Sequence, residues 1–532
     1  MILEIGIRYC GGCNASYDRK KLITKLIKEL DGNYNFEIAK DTKVYHYLVL
    51  MCGCLNCCVS HEKYTSKYGK IFVKDIRDYK KLIYDMKKVA VDYIEEVFKI
   101  SWNDIYKNKV VTADEAVKKI KSGDRVVVGH ACGEPKEIID AMVKNKDLYE
   151  NVEIVHMVSM GKSEYARPEM ATNFHHNSIF AGATTREAIS DGRADFTPCF
   201  FSEVPKLFKE GTLPVDVAII QLSVPDEHGY CSFGVSNDYT KPAAEAAKIV
   251  IAELNDKMPR TLGDSFIHVS DIDYIVETSN EIIELKPPKI GEVERSIGEN
   301  CAKLIEDGST LQLGIGAIPD AVLLFLKDKK DLGIHSEMIS DGVVELIEAG
   351  VVTNKAKTLH HGKTVVTFLM GTKKLYDYVN QNPSVVMYSV DYVNNPCVIS
   401  ENYKMVSINS CIQVDLMGQI AADTIGLKQF SGVGGQVDFV RGAAMAKGGK
   451  SIIAMPSTAS KGKVSRIVPI LDQGATVTTS RNDIHYVVTE YGIAELKGKT
   501  LKERARALIN VAHPDFRAQL IEEWEKRFKV KF

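Results

Sequence analysis

The sequence has no long apolar run, no excess of either charge and no recognisable leader segment. Its 532 residues carry 68 basic and 70 acidic side chains, a net charge of −2. Phosphate binding needs a basic excess, so nucleic acid is not expected as the main partner. No apolar stretch approaches the roughly 20 residues that span a bilayer, so a membrane protein is not expected. The first residues lack the basic region and apolar stretch of a signal peptide, and we expect a cytoplasmic location.

The composition is that of an ordinary globular protein, with 45% hydrophobic and 26% charged residues. Cysteine is the exception, because six of the twelve lie in the first 58 residues. The other six are scattered singly, and we interpret them as small buried hydrophobic residues. The clustered set is Cys10, Cys13, Cys52, Cys54, Cys57 and Cys58.

Residues 1–95 are predicted to form a small α/β domain. Strands are expected at 2–8 and 44–51, with a helix over 17–30 between them. A strand–helix–strand crossover makes the two strands parallel, so both cysteine loops should lie at one carboxyl edge of the sheet. A further strand at 71–73 and a helix at 78–97 complete the unit.

The clustered cysteines allow three interpretations. Cys10-x-x-Cys13, between a strand and a helix, resembles a thioredoxin-like arrangement with a redox-active thiol. All six together could bind an iron–sulfur cluster or zinc, although their spacing fits no familiar pattern. The third interpretation is inert packing. The sequence leaves the three open.

From residue 101 the pattern changes to long alternating strands and helices, which predicts open α/β sheets. A Pro-containing stretch near 279–294 suggests a boundary, giving an N-terminal domain at 101–285 and a C-terminal domain at 286–532. Residues 120–135 resemble 305–319 in the order of helix end, glycine, strand, glycine and proline, which indicates two related halves. Buried parallel strands are expected at 124–129, 151–158, 215–222 and 247–254.

Two glycine-rich loops and one acidic motif are candidates for chemistry. Gly-Ile-Gly-Ala-Ile-Pro (314–319) follows a strand and precedes a helix predicted at 320–326; its proline argues against a dinucleotide fingerprint, and a tight turn is the simpler interpretation. Ser-Gly-Val-Gly-Gly-Gln (431–436) favours use of the backbone as a hydrogen-bond donor over a flexible hairpin tip. His-Ser-Glu (335–337) places a carboxylate at a strand end, as nucleophile or base or as a solvated side chain.

The order of these motifs, followed by INSC…VDLMGQ (408–418), TTSRND (478–483) and VTEYGIAELKGKT (488–500), closely resembles the acetyl-CoA hydrolase/transferase family. Within it, the 4-hydroxybutyrate and butyrate–acetate CoA transferases are the most similar. The resemblance covers about residues 101–532 and not 1–95. It implies two CoA-transferase domains, coenzyme A as a substrate without a metal or redox cofactor, an acyl-CoA and a short-chain carboxylate as partners, and a homodimer or higher homo-oligomer.

The resemblance also implies residue roles. Glu337 is the nucleophile, forming a glutamyl anhydride and then a glutamyl-CoA thioester with ping-pong kinetics. Ile315 and Gly434 supply backbone oxyanion donors. Asn394 is the active-site asparagine, with Asn395 or Asn409 as alternatives, and Glu490 contacts CoA or orients the nucleophile. The loop glycines Gly314, Gly316, Gly432 and Gly435 and the basic residues Lys373, Lys374, Arg441 and Lys461 are candidate CoA contacts.

Two other functions remain open. A hydrolase would use the same glutamate and let water intercept the intermediates, which depends on pocket closure rather than on motifs. A redox or metal-binding protein would act through the N-terminal cysteines. Acetyl, butyryl and 4-hydroxybutyryl groups differ too little to be separated from one sequence.

Overall fold

A computed structural model describes residues 3–11, 17–30, 34–52, 59–98 and 101–532. The chain forms two compact units, Met1–Asn108 and Lys109–Phe532. Within the described part of the chain, none of the helices combines the length and apolar character that a membrane span requires. The predicted domain limits at 95, 101, 285 and 286 stay predictions.

The small unit is built on a four-stranded sheet in which all neighbouring strands are parallel. Among its described residues, α-helices Arg19–Glu29 and Tyr79–Phe98 accompany this sheet. The first helix begins after Asp18, whose carboxylate accepts from Lys21 N at 3.0 Å. It buries Leu22, Ile23 and Leu26 against the sheet, at the spacing of one helical face. In spatial order the strands are Tyr34–Ile38, Leu3–Tyr9, Val44–Met51 and Thr65–Val73.

The parallel pairing of the two cysteine-bearing strands is confirmed. Tyr9 lies opposite Met51, so Cys10 and Cys52 follow neighbouring strand ends at the same edge. Both are buried, and Cys10 N donates to Met51 O at 3.1 Å. The thioredoxin-like character of the unit stays a prediction.

The N-terminal half of the large unit contains a seven-stranded, fully parallel sheet. The four predicted strands occupy its interior, and three further strands flank them. Strand Val217–Ser223 is buried at every position, because helices and loops cover both faces of a parallel sheet. In spatial order the strands are Tyr274–Thr278, Ile249–Asn255, Val217–Ser223, Arg125–Val128, Val152–His156, Phe174–Ser178 and Ala194–Phe196.

The C-terminal half contains a six-stranded sheet that is parallel except for one edge hairpin. Residues 279–291, between the halves, contain no helix or strand. In spatial order the strands are Gly333–Ile334, Thr310–Leu313, Met405–Asn409, Lys450–Ala454, Tyr486–Thr489 and Gly492–Glu495.

Smaller sheets accompany the two large sheets. The two-strand pairs are Tyr230–Ser232 with Phe266–His268, Met338–Ile339 with Phe368–Leu369, Thr424–Ile425 with Lys428–Gln429, and Thr458–Ala459 with Val464–Ser465. The three-stranded sheets are Leu262–Gly263, Val385–Met387 and Thr364–Val366, and Ile420–Ala421, Gln413–Asp415 and Ile467–Val468.

The remaining α-helices follow the strands in the alternation predicted for this region. They are Trp102–Lys109, Ala113–Ala116, Lys136–Lys144, Arg186–Ser190, Val204–Lys209, Thr240–Ala246, Glu292–Ala302, Ala317–Leu324, Asp341–Glu348, Lys373–Val379, Val390–Val393, Pro396–Ser400, Gln436–Met445, Leu501–Asn510 and Pro514–Phe528.

The helix after the first glycine loop begins earlier than predicted, at Ala317 and not at residue 320. Pro319 therefore lies in its first turn, where a missing N–H costs nothing because the first amides of a helix have no intrahelical partner. Gly316 caps the helix with φ 113°, a conformation that favours glycine.

Candidate active site

Glu337 lies between two short strands, and the two residues before it anchor the chain. His335 and Ser336 are buried; the His335 ring contacts Val393 O at 2.8 Å and Ser336 Oγ donates to Leu313 O at 3.2 Å. Burial lowers the pKa of His335 to about 3, so the ring is neutral and its Nε2–H donates. The His-Ser-Glu motif thus combines two anchors with one carboxylate that reaches a pocket.

The Glu337 carboxylate is bound by one side-chain amide and faces two other acids. Asn394 Nδ2 donates to Oε2 at 2.7 Å. Burial, together with the negative charges of Asp438 and Asp238, raises the pKa of Glu337 to about 8. The Asn394 amide and the Gly435 N–H act in the opposite direction because they bind the charged form.

The second glycine loop passes directly over this carboxylate. A Cβ on Gly435 would lie 1.7 Å from Glu337 Oε2 and 2.4 Å from Asn394 Nδ2, so only glycine fits. Gly435 also caps the helix Gln436–Met445, whose N-terminal end favours a negative charge. Gly434 has φ 51°, which turns the loop at this point.

A pocket of about 360 Å³ opens beside Glu337. It brings together the His-Ser-Glu motif, the start of the first glycine loop and all of the second. Its lining residues are Phe180, Gln312, Leu313, Gly314, Glu337, Met338, Asn409, Ser410, Cys411, Ile412, Ala422, Phe430, Ser431, Gly432, Val433, Gly434, Gly435, Gln436 and Arg466.

Comparisons with known proteins identify the architecture around this pocket. The N-terminal domain model of the acetyl-CoA hydrolase/transferase family matches residues 96–287, and the C-terminal domain model matches residues 371–524. The 4-hydroxybutyrate coenzyme A transferase of Clostridium kluyveri is 71% identical over 429 residues, covering 81% of this chain and 100% of its own.

The chain belongs to the acetyl-CoA hydrolase/transferase family.

Other members of the family agree. The butyryl-CoA:acetate CoA-transferase of Anaerostipes caccae is 40% identical over 80% of this chain and 98% of its own. The crystal structure of a 4-hydroxybutyrate CoA-transferase from Porphyromonas gingivalis matches with a TM-score of 0.71 and 48% identity, over 80% of this chain and 100% of its own. The family and the CoA-transferase class predicted from the motifs are confirmed. Residues 4–90 match the model of an uncharacterized protein family.

The structure separates the three asparagines considered for the family's active-site position. Asn394 contacts Glu337, whereas Asn395 caps a helix by accepting from Cys397 N at 2.9 Å. Asn409 lines the pocket, where it exchanges hydrogen bonds with Gln312 at 3.0 and 3.4 Å. The geometry thus favours Asn394 among the three.

Other predicted contacts lie outside the pocket lining. Ile315 follows pocket residue Gly314 and is 43% exposed, and Gly316 is the helix cap described above. Glu490 accepts from Ser457 N at 2.9 Å and Ser457 Oγ at 2.6 Å. Lys373 pairs with Asp377 at 2.6 Å beside a separate hollow of about 240 Å³. Lys374, Arg441 and Lys461 are likewise not among the lining residues. The roles assigned to all these residues stay predictions.

One basic side chain in the pocket, Arg466, is not predicted from the sequence. Of the residues described as lining it, Arg466 is the one cation. Its Nε donates to Ile412 O at 2.9 Å, and a terminal nitrogen donates to Cys411 O. Arg466 belongs to no glycine-rich or acidic motif, so only the paired strands Gln413–Asp415 and Ile467–Val468 reveal its position.

Of the six clustered cysteines, the structure describes Cys10 and Cys52. Arg19 Nη1 lies 2.8 Å from Cys10 Sγ, at the sheet edge shared with Cys52. Cys13, Cys54, Cys57 and Cys58 lie outside the described residues. Among the residues the structure does describe, no group of three or more His, Cys, Asp or Glu side chains is arranged for a metal ion. The iron–sulfur or zinc site stays a prediction.

Proposed function

We propose that this chain moves CoA between a short-chain acyl-CoA and a carboxylic acid, with Glu337 as the covalent nucleophile. The observation that carries the proposal is the Glu337 carboxylate, bound by Asn394 at 2.7 Å and open to a pocket of about 360 Å³. The named activities of the relatives, which include 4-hydroxybutyrate and butyryl-CoA:acetate CoA transfer, support it.

The reaction divides one exchange into two half-reactions. The Glu337 carboxylate attacks the thioester carbonyl and expels CoA thiolate, leaving a glutamyl–acyl anhydride. The thiolate then attacks the glutamyl carbonyl, which releases the donor carboxylate and leaves a glutamyl-CoA thioester. An acceptor carboxylate attacks that thioester to form a new anhydride, and the expelled thiolate attacks the acyl carbonyl. The new acyl-CoA leaves and Glu337 is restored.

Each attack creates an oxyanion that backbone N–H groups can stabilise. Gly434, which lines the pocket, and Ile315, which follows the lining residue Gly314, are the donors we assign to this role. The guanidinium of Arg466 adds a positive charge to the same pocket. This charge favours an anionic guest, such as the acceptor carboxylate.

The pocket lining supports a hydroxylated acyl chain. Gln312 and Asn409 bind each other through one N–H and one oxygen apiece, which leaves a second N–H on each amide. A hydroxyl group can use these donors, whereas a methyl group leaves them unpaired. Sites built around such donors discriminate strongly against the analogue that lacks the hydroxyl.

Glu337→Gln tests the nucleophile. The change is nearly isosteric but removes the attacking oxygen, so we expect exchange to fall by at least about a thousandfold. Glu299→Gln makes the same change at an exposed helix position that pairs with Lys303 and should leave the rate unaltered. The measurements are acyl exchange and the intact mass of a CoA adduct. Exchange and an adduct at wild-type levels in Glu337→Gln would remove the central assignment.

The same assay separates a transferase from a hydrolase. Loss of acetyl-CoA is followed with no acceptor, with butyrate and with 4-hydroxybutyrate. We expect acceptor-dependent turnover and a preference for 4-hydroxybutyrate over butyrate of about tenfold or more in kcat/KM. Equal loss with and without an acceptor indicates a hydrolase.

A further inference from the structure

A second buried acid adjoins the nucleophile. Asp438 lies in the first turn of the helix Gln436–Met445, three residues after Gly435, and is 3% exposed. Its carboxylate accepts from Ser202 N at 3.1 Å and Ser202 Oγ at 2.9 Å. The proposed transfer reaction assigns it no role.

Asn394 connects the two acids. Its amide donates to Glu337 Oε2 at 2.7 Å and also hydrogen-bonds the Asp438 carboxylate. In their ionised forms both carboxylates only accept hydrogen bonds, so the amide nitrogen and not its oxygen must face them. At the opposite end of the amide, no donor among the described residues reaches the buried Asn394 Oδ1.

Since Oδ1 has no partner, the contacts of Nδ2 hold the amide in its orientation. A buried acceptor without a partner is unfavourable, so Oδ1 itself contributes nothing that would keep the amide from flipping. With Asp438 present, flipping would place the amide oxygen against two carboxylates instead of one. Asp438 therefore opposes the flip together with Glu337.

The charges around the pair have one dominant sign. Asp238 faces Glu337 from the turn before helix Thr240–Ala246, and Glu203 faces Asp438 from the loop that carries Ser202. Arg466 is the cation among the described pocket-lining residues, whereas His335 is a neutral ring bound to Val393 O. Lys357 lies beneath the same strand, bound to Ile334 O.

We propose that Asp438 is a positioning residue: it fixes the Asn394 amide so that its N–H faces Glu337, and its negative charge opposes ionisation of Glu337. The inference rests on the proposed function, in which Glu337 must be ionised to attack. The negative charge of Asp438 then helps to set the pH at which the nucleophile becomes active. Burial raises the pKa of Asp438 to about 7, with the Ser202 and Asn394 hydrogen bonds acting in the opposite direction.

Two variants separate the two effects. Asp438→Asn keeps an oxygen that can accept from Asn394 but removes the charge. Asp438→Ala removes both. Asp140→Asn is the matched control, because it makes the same change at an exposed helix position that pairs with Lys136. Each variant is measured in the full chain, with thermal unfolding to verify that it folds.

For Asp438→Asn we expect kcat within a few-fold of wild type and an acid limb of the kcat/KM profile displaced to lower pH by at least about 0.5 units. The sign follows because loss of a negative neighbour lowers the pKa of Glu337. Asp438→Ala should lose about tenfold or more in kcat, with the KM for acyl-CoA changed less. Asp140→Asn should stay close to wild type in both.

An unshifted acid limb in Asp438→Asn, or wild-type kcat in a folded Asp438→Ala, overturns the proposal. If Asp438→Ala does not fold, the Asp438→Asn pH profile alone decides. Glu337→Gln measured in parallel separates this from the proposed function: an active Glu337→Gln removes the function itself, whereas an inactive Glu337→Gln beside an unshifted Asp438→Asn removes only the role of Asp438.

Discussion

Gly435 occupies the most crowded backbone position at the site. Its N–H helps to bind the Glu337 carboxylate, and its missing side chain makes room for that carboxylate and for the Asn394 amide. The position has φ −89°, so conformational freedom is not the reason for glycine here. Space is the reason, and this makes the effect of a methyl group predictable.

Gly435→Ala should abolish exchange while the chain still folds. The added Cβ would displace the Glu337 carboxylate, whose Oε2 lies 1.7 Å from its ideal position, and we expect a loss of about a hundredfold or more in kcat. The control is Gly182→Ala, near pocket residue Phe180, because a Cβ there meets nothing closer than 3.9 Å. Initial rates and thermal midpoints of both variants check the prediction. Normal rates in Gly435→Ala would contradict the geometry.

Residues of the site differ in whether the sequence alone predicts their position there. Glu337 and the glycine loops were predicted because their motifs are long and unusual. Arg466 and Ser202 reach the site from segments about 130 residues after and 135 residues before Glu337, respectively, and neither belongs to a motif. Lys373 shows the opposite case: it is basic and near a motif, yet it pairs with Asp377 beside another hollow.

At the scale of elements, the short strand Gly333–Ile334 that leads to Glu337 rests on a buried lysine. Lys357 is 3% exposed, and its Nζ donates to Ile334 O and Lys363 O, both at 2.7 Å. A side chain on Gly333 would clash with the Lys357 stem at 2.4 Å, so the two fit closely. The Nζ group holds the chain three residues before the nucleophile.

The stability advantage of wild type over Lys357→Met should grow with pH. Burial lowers the pKa of Lys357 to about 7, whereas a solvated lysine, as in the unfolded chain, has a pKa of 10.5. Between these values the unfolded chain binds more protons than the folded chain, so stability rises with pH by at most about 1.4 kcal/mol per unit. Thermal midpoints of both proteins from pH 6.5 to 9.5 measure the difference. A constant difference would show that Lys357 is not buried as a titrating group.

The strands themselves were largely predictable, because parallel strands covered on both faces appear as continuous apolar runs. The start of helix Ala317–Leu324 was not, since a proline in a first turn looks like a helix boundary. Strand Phe174–Ser178 was missed because its sequence, FHHNS, is mostly polar. Its buried polar side chains find partners only in the folded sheet: Asn177 donates to Glu153 and His176 contacts Ile154 O.

At the scale of the whole molecule, the chain joins two units with different relatives. Every residue of the Glu337 pocket lies within Lys109–Phe532. The Clostridium kluyveri relative matches 81% of this chain with 100% of its own length. The small unit is therefore additional to the part of the chain that this relative shares. The six clustered cysteines, the strongest compositional signal, all belong to the addition.

Deletion of residues 1–95 should therefore retain acyl exchange within about threefold of the full chain, because the described pocket residues and the described contacts of Glu337 and Asp438 all belong to the large unit. The control is the full chain with Cys10→Ser and Cys52→Ser, which alters the same unit and keeps its length. Exchange rates before and after treatment with a thiol oxidant are compared in all three proteins. If the deletion folds and loses exchange, the small unit contributes to catalysis. If only the full chain with native cysteines responds to the oxidant, the thiols of the added unit regulate a reaction whose chemistry they do not perform.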